Sequence, residues 1–290
     1  MKVIAVHDGN FHADDVFASA ILKLIYPNAK IIRTRNKYRL DNADVRIDVG
    51  GKYNSKTGDY DHHQESFKEK RDNGIPYASA GLIWKHFGRR LVKSDEGWQY
   101  IEDALIQPID AHDNGMKIYE TNVIEPFTIG HMISTFLPKW DEESNFYREF
   151  MYALRFAEKL MIRMIEYANS IETGNNKLRK ALSKSDGEIL IIESPIPPFA
   201  RFLCEESSIK FVVYEDEGGK WRAKGVPIKF GSFELRTSFP KEWGGLMDDE
   251  LQKVSGVKDA IFCHKSLFIA SASSKKGILK MVKLALRKGK

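Results

Sequence analysis

Residues 3–6, VIAV, form a short apolar run, after which the period of the chain changes. Val16, Ala20, Ile21, Leu24 and Ile25 recur at helical spacing and predict a helix from Ala13 to Tyr26. Pro27-Asn28 ends it, and KIIRTR at 30–35 is the next predicted strand. ADVRIDVGG at 43–51 is a third strand that stops at a glycine pair. Lys52 to Tyr60 then carries the turn residues Asn54, Ser55 and Gly58. Strand and helix alternating through short loops predict a mostly parallel sheet flanked by helices. Further helices are expected over Tyr77–Phe87 and Gly97–Ile106, the latter ending at Gln107-Pro108. From Glu142 to about Leu182 the pattern is helical, interrupted at Gly174-Asn175-Asn176. Beyond Gly187 come β-rich runs at 188–193, 209–226, 260–264 and 266–271, then a closing helix from Lys276 to Lys288. The expectation is an α/β chain in three parts: an α/β domain over 1–140, a helical connector over 141–185 and a smaller α/β domain over 186–290.

Composition narrows the class. With 42% hydrophobic and 29% charged residues in 290, this is an ordinary globular chain long enough for two cores. No apolar run approaches the roughly 20 residues that span a bilayer, so no membrane is expected as a partner. VIAV leads directly into His7 and reads as a strand rather than a leader. Cys204 and Cys263 are far apart and belong to no CxxC pair, which fits buried thiols in a reducing cytoplasm. The net charge of +5 is compatible with an anionic substrate and decides nothing more.

The chemistry sits in four clusters: His7-x4-His12-x-Asp14, Asp48 in IDVGG, Asp61-His62-His63, and Asp110 in PIDAHD. Singly each is bland, since an aspartate after a strand is most often a helix cap. Together, at the predicted carboxyl ends of strands in one sheet, they are the place where ligands collect. Imidazole and carboxylate without thiolate suit Mn, Zn, Fe or Mg. His7, His12, Asp14, Asp48, His62 and Asp110 exceed what one tetrahedral ion takes, and so point to two divalent ions about 3.5–4 Å apart. Asp48, with Gly50-Gly51 leaving room beside it, is the expected bridge. Asp113 reads first as a loop residue before Asn114-Gly115, Asp15 as a partner of the helix dipole, and Asp8, His86 and His112 as structural.

These residues resemble the DHH phosphoesterase superfamily, and within it the MYG exonuclease family. The resemblance rests on HDGNFHADD at 7–15, RIDVGG at 46–51, YDHHQ at 60–64, SAGLIWKHFG at 79–88, PIDAHDNG at 108–115 and ELRTSFPKEWGGL at 234–246. His12 stands where other superfamily branches have aspartate. The resemblance implies a DHH-type sheet, His7 and His12 on one ion, Asp14 and His62 with Asp110 on the other, and Asp48 between. It further implies that Asp61 orients an imidazole and that His63 touches the scissile phosphate or serves as acid. Arg236, Lys241 and His264 are the expected substrate contacts of the second domain, although Ala270 and Ser271 replace the glycines usual there. Lys37, Arg39, Lys68, Lys70 and Arg71 form either an electrostatic track or a solvated face.

The implied activity is a 3′–5′ exonuclease on RNA or short oligonucleotides, by attack of metal-activated hydroxide. Manganese is the first choice of metal, and a homodimer is left open. A small-molecule phosphatase acting on pyrophosphate or a nucleotide is the alternative, and a non-catalytic nucleic-acid-binding protein the third reading.

Overall fold

The computed structural model describes residues 1–120, 123–141, 143, 145–185, 187–192, 203–204 and 207–288. Glu142 and Glu193, expected ends of elements, lie outside them. The chain divides into two compact units, Met1–Glu172 and Thr173–Lys290.

The first unit is built on strands β1 (Val3–Val6), β2 (Lys30–Arg33), β3 (Val45–Ile47), β4 (Tyr53–Asn54) and β5 (Asp59–Tyr60). Their order is β2-β1-β3-β5-β4, parallel except for the β4–β5 hairpin. Two crossovers therefore bring the carboxyl ends of β1, β2, β3 and β5 to one edge. Helix α1 (Ala13–Ile25) follows β1, and the short helix α2 (Lys37–Asp41) follows β2. Helix α3 (Ser79–Phe87) packs against α1. Ile4, Phe17, Ile21, Ile47, Leu82 and Trp84 are fully buried in the shared core.

The helix expected to stop at Ile106 does not stop there. Helix α4 (Asp95–Ile101) passes through a π turn over Glu102–Ile106 into α5 (Gln107–Asp113). A proline ring collides with the carbonyl four residues earlier, and here that carbonyl is Ala104 inside the wider π turn. Pro108 is thereby absorbed, and Asp110 sits on a helix rather than at a strand end. Helix α6 (Ile129–Ser134) follows, capped by the Thr128 side chain, which accepts from the His131 amide. Helix α7 (Phe146–Leu182) runs without a break through Gly174-Asn175-Asn176. A mid-helix glycine costs only about 1 kcal/mol, too little to break so long a helix.

The second unit holds β6 (Ile189–Ile192), β7 (Phe211–Glu215), β8 (Trp221–Gly225), β9 (Ala260–Cys263) and β10 (Ile269–Ala272) in the order β6-β7-β8-β10-β9. Only β6 and β7 are parallel. Helices α8 (Asp248–Ser255) and α9 (Lys275–Lys288) flank it, with Ile278, Met281, Val282 and Ala285 filling the core. The chain is thus α/β throughout, a mostly parallel sheet followed by a smaller one. Among the described residues no helix is long and apolar enough to cross a membrane.

Candidate metal centre

Each cluster reaches the sheet edge by a different local device. His7 is the first residue after β1, and its Nδ1 donates to the Asp8 carbonyl at 3.0 Å. A carbonyl can only accept, so this bond turns the Nε2 edge towards the acids. Nε2 lies 3.1 Å from Asp15 Oδ2 and 3.3 Å from Asp48 Oδ2, yet without hydrogen-bond geometry. His12 is the N-cap residue of α1, and its amide donates to Asp15 Oδ1 at 2.7 Å. Asp15 therefore caps the helix and also faces His7. Asp48 ends β3 in a left-handed conformation, φ +54°, rarely adopted by residues with a Cβ, and Gly50 and Gly51 follow at positive φ. The turn points its carboxylate back over the sheet edge. Strain of this kind at a residue ringed by His7, His62 and His63 marks a functional position.

Asp61 gives both oxygens to neighbours: Oδ2 accepts from the Gly51 amide at 2.6 Å, and Oδ1 from the amide and Nδ1 of His63 at 3.1 and 2.9 Å. It thus holds the turn after Asp48 and the His63 ring together. The His63 side chain is 63% exposed, whereas His62 is buried. His62 Nε2 is 3.1 Å from Asp113 Oδ2, and Nδ1 is 3.7 Å from Asp48 Oδ1.

Asp14 and Asp110 share an unexpected task. Helix α3 has no side-chain cap of its own. The amides of Ser79 and Ala80 instead donate to Asp14 at 3.1 and 2.5 Å, and that of Gly81 to Asp110 at 2.9 Å. Both carboxylates are fully buried at the positive end of the helix. A Cβ on Gly81 would fall 1.8 Å from Asp110 Oδ2, so glycine is required there. The other side of Asp110 is taken by Arg71 Nη2 at 2.8 Å, and Arg71 also pairs with Glu102 of the π turn.

Among the described residues, three groups have ligand atoms within 4.8 Å of one another: His7, His12 and Asp48; Asp14, His62 and Asp113; and Asp48, Asp61, His62 and His63. Asp113, one helical turn further along α5, falls in one of these groups, and Asp110 in none of them. That signal was available in the i, i+3 spacing, but only once the segment is a helix. Arg35, just beyond β2, was also missed. It lines a cavity of about 460 Å³ together with His7, His12, Asp48, Asp61, His63 and Asp113.

The second unit distributes its expected residues differently. Arg236 donates to the carbonyls of Ser207, Ile209 and Cys204, and so pins backbone. Lys241 is exposed on a 3-10 turn, and His264 accepts the Ser266 amide while packing on Phe268. Among the described residues, no hydrogen bond, ion pair or ring contact joins these three to one another.

The donor set fits a divalent cation. His7 Nε2, Asp15 Oδ2 and Asp48 Oδ1 are buried without hydrogen-bond partners. Burial, then the charges of Asp113, Asp48 and Asp110, hold the Asp14 carboxyl well above its usual range. Burial opposes a charged His7, but Asp15 and Asp48 outweigh it and lift the ring to about 10. The Asp48 carboxylate 3.2 Å away and the hydrogen bond to Asp61 lift His63 to about 10 as well. Burial alone would raise the Asp48 carboxyl, yet the His63 and His7 rings, 3.2 and 3.3 Å away, hold it far below the usual range. The cluster is acid-rich and favours the charged forms of His7 and His63 for want of other positive charge, which a metal ion would supply.

This α/β fold carries at its sheet edge an imidazole–carboxylate cluster that could hold a metal ion, the kind of site on which metal-dependent hydrolases are built. The profile of the MYG1 exonuclease family, described as uncharacterised protein family UPF0160, matches residues 3–286. A MYG1 protein of Dictyostelium discoideum is 33% identical, covering 96% of this chain and 94% of that one. The MYG1 exonuclease of Mus musculus is 32% identical over 98% of this chain and 84% of its own. The chain belongs to the MYG1 exonuclease family. Among solved structures, a pGpG-specific phosphodiesterase of Vibrio cholerae aligns over 99% of this chain and 98% of its own at 12% identity, with a TM-score of 0.36, too distant to carry an argument.

Proposed function

We propose that the chain is a metal-dependent phosphodiesterase that removes nucleotides from the 3′ end of single-stranded nucleic acid, RNA before DNA, in the cytoplasm. The observation that supports this most is the convergence of three overlapping donor groups, Asp48 common to two of them and His62 to two. In this reading His7, His12 and Asp48 hold one divalent ion and Asp14, His62 and Asp113 the other, with Asp48 common to both. Asp110 is then a helix-capping residue beside the site. Manganese suits the mixed nitrogen and oxygen donors. Such ions would acidify water and neutralise phosphoryl oxygens.

The chain supplies the rest. Asp61 engages His63 Nδ1, so the exposed Nε2 edge can give a proton to the departing oxygen. Arg35, 60% exposed and lining the cavity with its Nη1 held by Asp8 at 2.6 Å, would bring positive charge to a phosphate entering there. The names of the mammalian relatives support a strand end as substrate.

The test is a Mn2+ assay on end-labelled RNA, single-stranded DNA, pyrophosphate and a chromogenic phosphodiester. Stepwise shortening of RNA from its 3′ end is the expected outcome. Hydrolysis of pyrophosphate alone would replace this reading with the small-molecule phosphatase.

A further inference from the structure

A second cavity, of about 250 Å³, adjoins the ligand residues within the first unit. Its lining includes His12, Asp14 and Asp113, of which Asp14 and Asp113 share a donor group, and Ile118, Ile129 and Gly130, with Gly130 beside the His112 ring. It therefore offers both charged and apolar lining. Its volume is below the roughly 300–1,000 Å³ of pockets for drug-sized ligands, so it admits one nucleoside-sized group and not two. His112 belongs to α5, the same short helix that presents Asp113 to His62. A ring on that helix is held at a set distance from the donor cluster, and imidazole is a surface on which bases stack.

We propose that this cavity is the subsite for the terminal nucleoside of the substrate strand, its base beside His112 and Ile129 and its phosphate at the Asp14–His62–Asp113 group. The proposal rests on the phosphodiesterase reading and adds to it a structural reason for acting at an end. A cavity for one nucleoside has room for a terminus and none for a continuing chain.

Gly130 gives the means to test it. A Cβ there would sit 3.4 Å from His112 Cε1, an ordinary contact, so Gly130→Ala should fold and Gly130→Leu should fill the cavity. Calorimetry in Mn2+ compares adenosine 5′-monophosphate with inorganic phosphate. The wild-type chain should bind the nucleotide at least about tenfold more tightly, with the preference lost in Gly130→Leu and reduced in His112→Ala. Mn2+ uptake by each variant reports whether the donor cluster is intact. In turnover, the ratio of kcat/KM for an RNA oligonucleotide over bis(p-nitrophenyl) phosphate should fall about tenfold in Gly130→Leu. Equal binding of nucleotide and phosphate by the wild type, or an unchanged ratio in Gly130→Leu, would overturn the subsite. Nucleotide preference without hydrolysis of any diester would overturn the phosphodiesterase reading and leave the subsite standing.

Discussion

Two aspartates three residues apart on α5 carry opposite assignments, and one pair of substitutions separates them. Asp113 faces His62 Nε2 at 3.1 Å, whereas Asp110 is spent on Arg71 and the Gly81 amide. Asp113→Asn should lower Mn2+ affinity and hydrolysis at least about 100-fold while the melting temperature without metal barely moves. Asp110→Asn should do the reverse first. It breaks a buried pair from one side and costs about 3 kcal/mol, read as a lower urea midpoint. Equal loss of metal binding in both would return Asp110 to the ligand set. Asp48→Ala should abolish hydrolysis and Mn2+ uptake with the circular dichroism spectrum unchanged, because alanine places the same Cβ at φ +54° and adds no bulk. Retained activity would remove Asp48 from the centre.

At the scale of elements, the sheet edge depends on how β3, β5 and α3 are tied. Asp59 on β5 pairs with Arg46 on β3 and lies 3.3 Å from Lys52. Burial alone would raise its carboxyl, but the Thr57 hydroxyl, Arg46 and Lys52 hold it below its ordinary value of 3.8. A carboxylate depressed in the folded state contributes stability that is present above the unfolded value and lost as pH falls through the folded one. Metal-free protein should therefore lose stability as pH falls below 3.8, and Asp59→Asn should flatten that part of the urea-midpoint profile. An identical profile would show that the tie contributes nothing. The cap of α3 is steric as well as electrostatic. Gly81→Ala places a Cβ on the Asp110 carboxylate and should lower the melting temperature markedly, whereas glycine-to-alanine in an unobstructed helix is stabilising by up to about 1 kcal/mol.

For the whole molecule, a metal held by the Asp–His cluster would be a structural as well as a chemical partner. Buried acids with too few cations destabilise the metal-free chain, and a bound ion stabilises by mass action, about 2.7 kcal/mol at 100 times its Kd. Addition of Mn2+ should raise the melting temperature and a chelator should reverse it, with no change for Asp48→Ala. A melting temperature indifferent to metal would count against the centre.

Much of this was legible in the chain itself. Alternation of strand and helical periods determined the α/β class, because side-chain period follows backbone geometry. His7, Asp48 and the Asp61-His62-His63 triplet were legible because parallel strands end on one edge, so residues just past them must meet. What only the tertiary structure decided concerns side chains whose roles depend on partners distant in sequence. Asp110 became a cap because Arg71 and Gly81 are folded against it. Asp113 came to face His62 because Pro108 was carried inside a helix by a π turn. Arg236 turned to three backbone carbonyls. Sequence spacing fixes which residues share an element, but competition for a buried carboxylate or guanidinium is settled only where the elements pack.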